Sequence, residues 1–169
     1  ANADYTVAIG FQAGQDITAS AAGEPNTLIG GSAGMNITTG NANVCVGYLT
    51  GDAITDGQDN VAVGYQALSA VVGTDYNTAV GKMAGLVSTG IANTFIGCDA
   101  GGATTDVDNT VVIGYRAGYA DMTSAADGTV AIGYKALEGL TTGANNTAIG
   151  HQAMLTHTTG GYNIAIGHN

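Results

Sequence analysis

Asn146-Thr-Ala-Ile-Gly150 decides how this chain is read, because a relative of it recurs along the whole sequence. Ten copies end at Gly10, Gly30, Gly47, Gly64, Gly81, Gly97, Gly114, Gly133, Gly150 and Gly167. Subtracting neighbours gives intervals of 20, 17, 17, 17, 16, 17, 19, 17 and 17 residues. A period of this size marks stacked repeats, so each unit reads as one coil of a solenoid. The residue before the glycine is Ile or Val in every copy, as suits a β-strand.

Working outward from the glycine, alternate side chains of a strand share a face. One face carries Ile9, Ile29, Val46, Val63, Val80, Ile96, Ile113, Ile132, Ile149 and Ile166, together with the residues two positions earlier, from Val7 to Ile164. These are expected to fill the inside of the coil. Between them lie Ala8, Leu28, Cys45, Ala62, Ala79, Phe95, Val112, Ala131, Ala148 and Ala165, apolar in every copy. A strand apolar on both faces is buried on both, and a thin solenoid has nothing of its own to cover the second. The ten middle residues are therefore predicted to form a seam against another copy of the chain. Full burial contributes about 1.5–3 kcal/mol for each large side chain and less for alanine. A row of tolerated surface alanines is the plainer alternative, and Leu28, Phe95 and Val112 argue against it.

Four residues before the glycine stands Asn26, Asn43, Asn60, Asn77, Asn93, Asn146 or Asn163, with Thr in the other copies. Stacked coils bring these amides about 4.8 Å apart, where identical amides hydrogen-bond in ladders. A structural Asn ladder is expected here rather than a ligand-binding row. After the glycine, a second and weaker strand is predicted at Ile17-Thr18, Ile37-Thr38, Ile54-Thr55, Val71-Val72, Thr104-Thr105 and Leu140-Thr141, which would make each coil a flattened roll of two strands and two turns. Two longer connections, 15–25 and 119–128, should bulge outward as loops. Residues 1–169 read as one repeat domain without polar capping units, as expected of a segment of a longer fibre.

Composition narrows the function classes. Three Lys+Arg against 13 Asp+Glu give a net charge of −10. Nucleic acid is then an unsuitable partner, because phosphate neutralisation needs basic residues. No apolar run approaches the roughly 20 residues that cross a bilayer, so membrane insertion is not expected. Cys45 and Cys98 lie three coils apart at different places in their repeats, and are expected to stay unpaired.

No chemical constellation survives inspection of the repeat. Ile113-Gly-Tyr-Arg-Ala-Gly118 matches the hexapeptide rule of left-handed β-helical acyltransferases, but that rule needs three consecutive hexads per coil and here the hexad is solitary. Asp52, Asp56, Asp59, Asp106 and Asp108 could offer oxygen ligands to calcium, yet their positions do not recur from coil to coil. His151, His157 and His168 form no metal-spaced set with a cysteine, and no nucleophile–base pairing is identifiable. The expectation is a non-enzymatic protein without cofactor or metal.

Two columns invite a binding role. Directly after the glycine a ring recurs at Phe11, Tyr48, Tyr65, Tyr115, Tyr134, His151 and His168. Stacking between coils explains it structurally; partly exposed rings with polar tips also suit carbohydrate. Tyr115, Arg116, Tyr119, Tyr134 and Lys135 are its densest part and the candidate receptor contact. Eight residues after the glycine, threonines recur at Thr18, Thr38, Thr55, Thr89, Thr105, Thr141 and Thr158, broken at Val72 and Met122. A flat threonine array could bind ice, while a hydroxyl ladder needs fewer assumptions.

Units such as Asn60-Val-Ala-Val-Gly-Tyr-Gln-Ala-Leu68 and Asn146-Thr-Ala-Ile-Gly-His-Gln-Ala-Met154 resemble the repeats of bacteriophage tail-fibre proteins. Tyr5-Thr-Val-Ala-Ile-Gly10 and Gly128-Thr-Val-Ala-Ile-Gly133 are similar to the head repeats of trimeric autotransporter adhesins. The resemblance spans all ten copies and implies an all-β, left-handed parallel β-roll, homotrimeric, with inner strands lining a threefold axis. Asn-Thr replaces the adhesins' usual Ser at the strand start and the period is longer, which favours the phage fibre. The expected function is a structural or receptor-binding segment of a trimeric tail fibre, a shaft or host-surface adhesin on the virion tail. Its partners would be its own copies and a host surface polysaccharide or protein. Two alternatives stand beside it: the head of a bacterial trimeric autotransporter adhesin at the cell surface, and an ice-binding β-solenoid.

Overall fold

The computed structural model describes residues 6–18 and 25–169. Among them ten three-residue strands form one parallel sheet in sequence order: β1 (Val7–Ile9), β2 (Thr27–Ile29), β3 (Val44–Val46), β4 (Val61–Val63), β5 (Thr78–Val80), β6 (Thr94–Ile96), β7 (Val111–Ile113), β8 (Val130–Ile132), β9 (Thr147–Ile149) and β10 (Ile164–Ile166). Register follows the repeat, so Cys45 pairs with Leu28 below and Ala62 above. The chain is a parallel β-solenoid in which each coil adds one strand to the sheet.

The coil closes around the opposite face from the one the sequence suggested. Leu28, Cys45, Ala62, Ala79, Phe95, Val112, Ala131 and Ala148 are fully buried within a single chain. The proposed seam residues therefore cannot touch another copy in these coils. Ala8 and Ala165, in the first and last strands, are more exposed. The reason is volume exchange across an interior one side chain wide. Where the strand centre is large, the residue four after the strand-end glycine is itself glycine: a Cβ on Gly34 would lie 2.7 Å from Leu28 Cδ2, and one on Gly51 2.7 Å from Cys45 Sγ. Where the centre is only Ala62, Ala131 or Ala148, that position is Leu68, Leu137 or Met154 and fills the space from the other wall; at Ala79 with Gly85 both are small, and Phe95 and Leu68 reach in from the coils above and below. Close packing of this kind leaves no room for either residue to turn outward.

The predicted second strand is absent from the sheet. The chain instead curls twice after each strand, with left-handed residues two and four positions past the glycine, such as Leu49 (φ 54°) with Gly51 (φ 57°) and Gln66 (φ 54°) with Leu68 (φ 50°). Beyond them neighbouring coils still join by backbone bonds, as in Thr38 N–H to Thr55 O at 2.8 Å and Thr141 N–H to Thr158 O at 3.0 Å. Within the longer connection at 119–128 a 3-10 turn, Ser124–Ala126, tucks Ala126 into the core. Residues 19–24 of the other long connection lie outside the described residues.

From Gly10 to Gly150 the strand-end glycines form a column with no space for a side chain. Gly81 has φ 139°, and a Cβ there would stand 2.5 Å from the carbonyl oxygen of Gly97 in the next coil. Only glycine tolerates both the conformation and the approach.

Inside the coil the asparagines line up. Asn60 Nδ2 donates to Asn43 Oδ1 (3.0 Å) and to Thr74 O (2.6 Å), while Asn60 Oδ1 accepts the Asn77 N–H (3.0 Å). The pattern runs from Asn26 through Asn43, Asn60, Asn77 and Asn93 to Thr110, and again from Asn146 to Asn163. A buried amide with its donors and acceptor engaged stabilises the turn that opens each strand.

Candidate interaction surfaces

With the strand centres turned inward, alternation sends the flanking residues outward. The row Ile29, Val46, Val63, Val80, Ile96, Ile113, Ile132 and Ile149 stands on the outer face of the sheet, beside a second row of Val and Thr two residues earlier. In-register neighbours cover one another's flanks, yet Ile29, Val80 and Ile96 remain 36–38% exposed. Continued by Ile9 and Ile166 in the end strands, the strip covers nine steps of about 4.8 Å and is roughly 45 Å long and about 10 Å wide. A continuous aliphatic surface on that scale, at several hundred Å², is what marks an interaction site. No charged residue interrupts it.

The margin after the strands carries the rings. Tyr115, Tyr134, His151 and His168 form one stack, with centroids 5.5, 5.0 and 4.8 Å apart and planes within 15° of parallel. Tyr48 and Tyr65 form another at 6.0 Å. Lys82 and Cys98 occupy the intervening places in the column. Within a stack the ring faces cover each other, so Tyr115 and Tyr134 present edges and hydroxyl tips to solvent rather than faces.

The five residues of the candidate receptor contact come together. The Arg116 guanidinium lies 4.1 Å over the Tyr119 ring, and Lys135 Nζ is 5.7 Å from the Tyr134 centroid. A sixth member, Glu138, was not anticipated. Its Oε1 lies 3.1 Å from Arg116 Nε, without hydrogen-bond alignment, and its Oε2 lies 3.2 Å from Lys135 Nζ. The three-residue spacing from Lys135 to Glu138 was the available signal. One carboxylate facing two cations leaves one positive charge unbalanced, which suits an anionic or hydroxyl-rich ligand.

The margin before the strands is acidic. Asp75 Oδ1 accepts the Gln58 N–H at 2.8 Å, Asp108 Oδ1 the Ile91 N–H at 2.8 Å, and Asp127 Oδ1 the Asp108 N–H at 2.9 Å. Each carboxylate thus caps the turn of the coil before its own.

The remaining columns turn inward or are engaged. Asn26, Asn43, Asn60, Asn77, Asn93 and Asn146 are buried and hydrogen-bonded to each other or to turn carbonyls, out of reach of a ligand, while Asn163 in the last coil is half-buried. The hydroxyls of Thr18, Thr38, Thr89 and Thr141 donate to backbone carbonyls of the next coil at 2.9–3.1 Å. Thr123 takes the place in this column expected for Met122, donating at 3.5 Å to Thr141 O, because the coil carries extra residues and Met122 is drawn into the core. Both cysteines are free. Burial, then the Asp52 charge, pushes the Cys45 thiol up to about 12. The Cys98 thiol is raised by desolvation first and then by Asp99, against an opposing pull from Lys82. Among the described residues no group of three or more His, Cys, Asp or Glu is placed to hold a metal ion. No protein-family model, curated protein or solved structure matches the chain.

Proposed function

We propose that the chain is a non-enzymatic structural or receptor-binding segment of a homotrimeric fibre of the bacteriophage tail type, built from left-handed rolls. The observation that carries this reading is the uncovered aliphatic strip on the outer face of the sheet. Among the described residues no element lies over it, and water contact along its length is unfavourable. A strip one short strand wide suits three copies about a common axis, each supplying one wall of a narrow apolar core. Repetition of identical coils suits a shaft, since the same contact recurs at every level. A host surface polysaccharide is the partner this reading expects, and the virion tail is the place of action.

Sedimentation equilibrium on the 169-residue chain tests this, with three-chain mass expected. Ile113→Asp with Ile132→Asp should give single chains that keep the parent circular dichroism, because both side chains point away from the coil interior. A parent that sediments as one chain at high micromolar concentration overturns the proposal. Binding of the parent to a glycan array would establish the receptor role.

A further inference from the structure

We infer that neighbouring copies of this chain meet edge to edge, parallel and at equal height, with the acidic margin of one sheet against the ring-and-cation margin of the next. This deepens the self-associating reading above and rests on it. The ground is a match of charge level by level. The chain has three basic residues in all. Lys82 follows β5, Arg116 follows β7 and Lys135 follows β8, each within three residues of the strand end. Asp75, Asp108 and Asp127 stand three residues before the same three strands. Between them, the coil of β6 is reversed: Asp99 takes the cation's place, and its other margin carries Ile91 where the neighbours have aspartate.

Rotation about an axis parallel to the stack brings the strand-start margin of one copy to the strand-end margin of the next at the same height. Every cation then faces an aspartate, and Asp99 faces an uncharged margin. An antiparallel pair would set like margin against like. A slip of one coil in either direction would place Asp108 or Asp75 against Asp99, a like-charge contact that disfavours the wrong register. Turn capping alone does not account for the aspartates, because an asparagine oxygen would accept the same N–H bonds. Nor does Glu138 neutralise the opposite margin, since it balances one of two adjacent cations and lies away from Lys82's coil.

The test exploits the sign of the effect. Asp75→Asn/Asp108→Asn/Asp127→Asn keeps the acceptor oxygens and changes the formal net charge from −10 to −7 (13 − 3 = 10 acids against 3 bases). Ordinary repulsion between acidic chains predicts tighter association for this variant. Edge pairing predicts the opposite, about tenfold weaker, as three partly exposed pairs worth a few-fold each multiply. Lys82→Gln/Arg116→Gln/Lys135→Gln should weaken association by a similar factor, and all six changes together by no more than either set alone. In a Cys98→Ser background, Asp127→Cys with Lys135→Cys should cross-link between chains on oxidation, and Asp127→Cys with Lys82→Cys should not. A single-chain parent would sink the self-association reading itself. An associating parent whose Asn variant holds equally or more tightly, or whose Lys82→Cys pair cross-links as well, overturns the edge pairing alone.

Discussion

Phe95→Ala is the sharpest probe of which strand face lies inside the coil. Phe95 is fully buried, and it is flanked by Gly85 and Gly101, at both of which an added Cβ would collide with its ring. Removing the ring leaves a void that two glycines cannot lean in to fill, so the loss should fall at the upper end of the usual range, about 3–5 kcal/mol. Two coils further along the stack suggest the repair. Ala62 with Leu68 and Ala131 with Leu137 fill the same space from the opposite wall, so Phe95→Ala/Gly101→Leu should recover about half of the loss. Recovery stays partial because leucine at φ 58° carries a left-handed cost of roughly 1–2 kcal/mol that glycine avoids. Ile96, the next residue, points outward, so Ile96→Ala should cost at most about 1 kcal/mol in a single chain and act chiefly on association. Urea unfolding followed by circular dichroism at several protein concentrations separates the two. The Phe95→Ala loss should not change with concentration. A loss below about 1 kcal/mol, or a double variant no more stable than Phe95→Ala, refutes the volume-exchange account of the core.

Four further outcomes follow from the same geometry. Gly81→Ala should destabilise by about 2–4 kcal/mol in thermal or urea unfolding, since it combines a glycine-only backbone with a clash against the Gly97 carbonyl; a shift under about 0.5 kcal/mol would mean the coils can separate locally. Asn60→Ala leaves the Thr74 carbonyl and the Asn77 N–H without partners and should cost about 2–4 kcal/mol, whereas Asn60→Thr, copying Thr110, should cost less. For Cys45 the native thiol is raised to about 12 while the unfolded one stays near 9, so the folded chain holds the proton more tightly. Its contribution is intact below pH 9 and is lost as pH climbs from about 9 to about 12; Cys45→Ala should remove that alkaline slope. In the native protein at neutral pH a maleimide should label Cys98 alone, with Cys45 reacting after denaturation.

The period, the strand positions and the Asn column were legible in the sequence, because each rests on residues repeated at one place. Which strand face is inside was not. Alternation separates two faces but cannot rank them when both are apolar, and β-branched residues suit an outer sheet face as well as an inner one. The missing clue was a correlation: Leu28 with Gly34 and Phe95 with Gly101, against Ala62 with Leu68 and Ala131 with Leu137. Two positions that trade volume must share a cavity. The second strand was misread for another reason. Its Ile-Thr and Leu-Thr pairs have strand character, but the curl before them depends on left-handed Gln66, Lys135 and Leu68, residue types that do not advertise positive φ.

Turning the strand around changes what the outer surface has to explain. A narrow interior lined by alanine and glycine, with about two larger residues per level such as Leu28 with Ile37 or Leu137 with Leu140, buries a limited apolar area for each coil. The Asn ladder and the inter-coil backbone bonds satisfy the polar groups that this narrow core encloses, but a satisfied hydrogen bond adds only a modest net gain. The outer rows hold the larger reserve: Ile and Val at every level, aligned with their neighbours above and below and separated from the coil interior by one thickness of backbone. Covering them would bury more large aliphatic side chains than the coil itself encloses. The sequence supplies such a surface without interruption along the sheet and places its few cations and their matching aspartates on the two borders, outside the strip. An apolar strip with charge confined to its margins is the arrangement expected when burial provides the affinity and charge fixes direction and register.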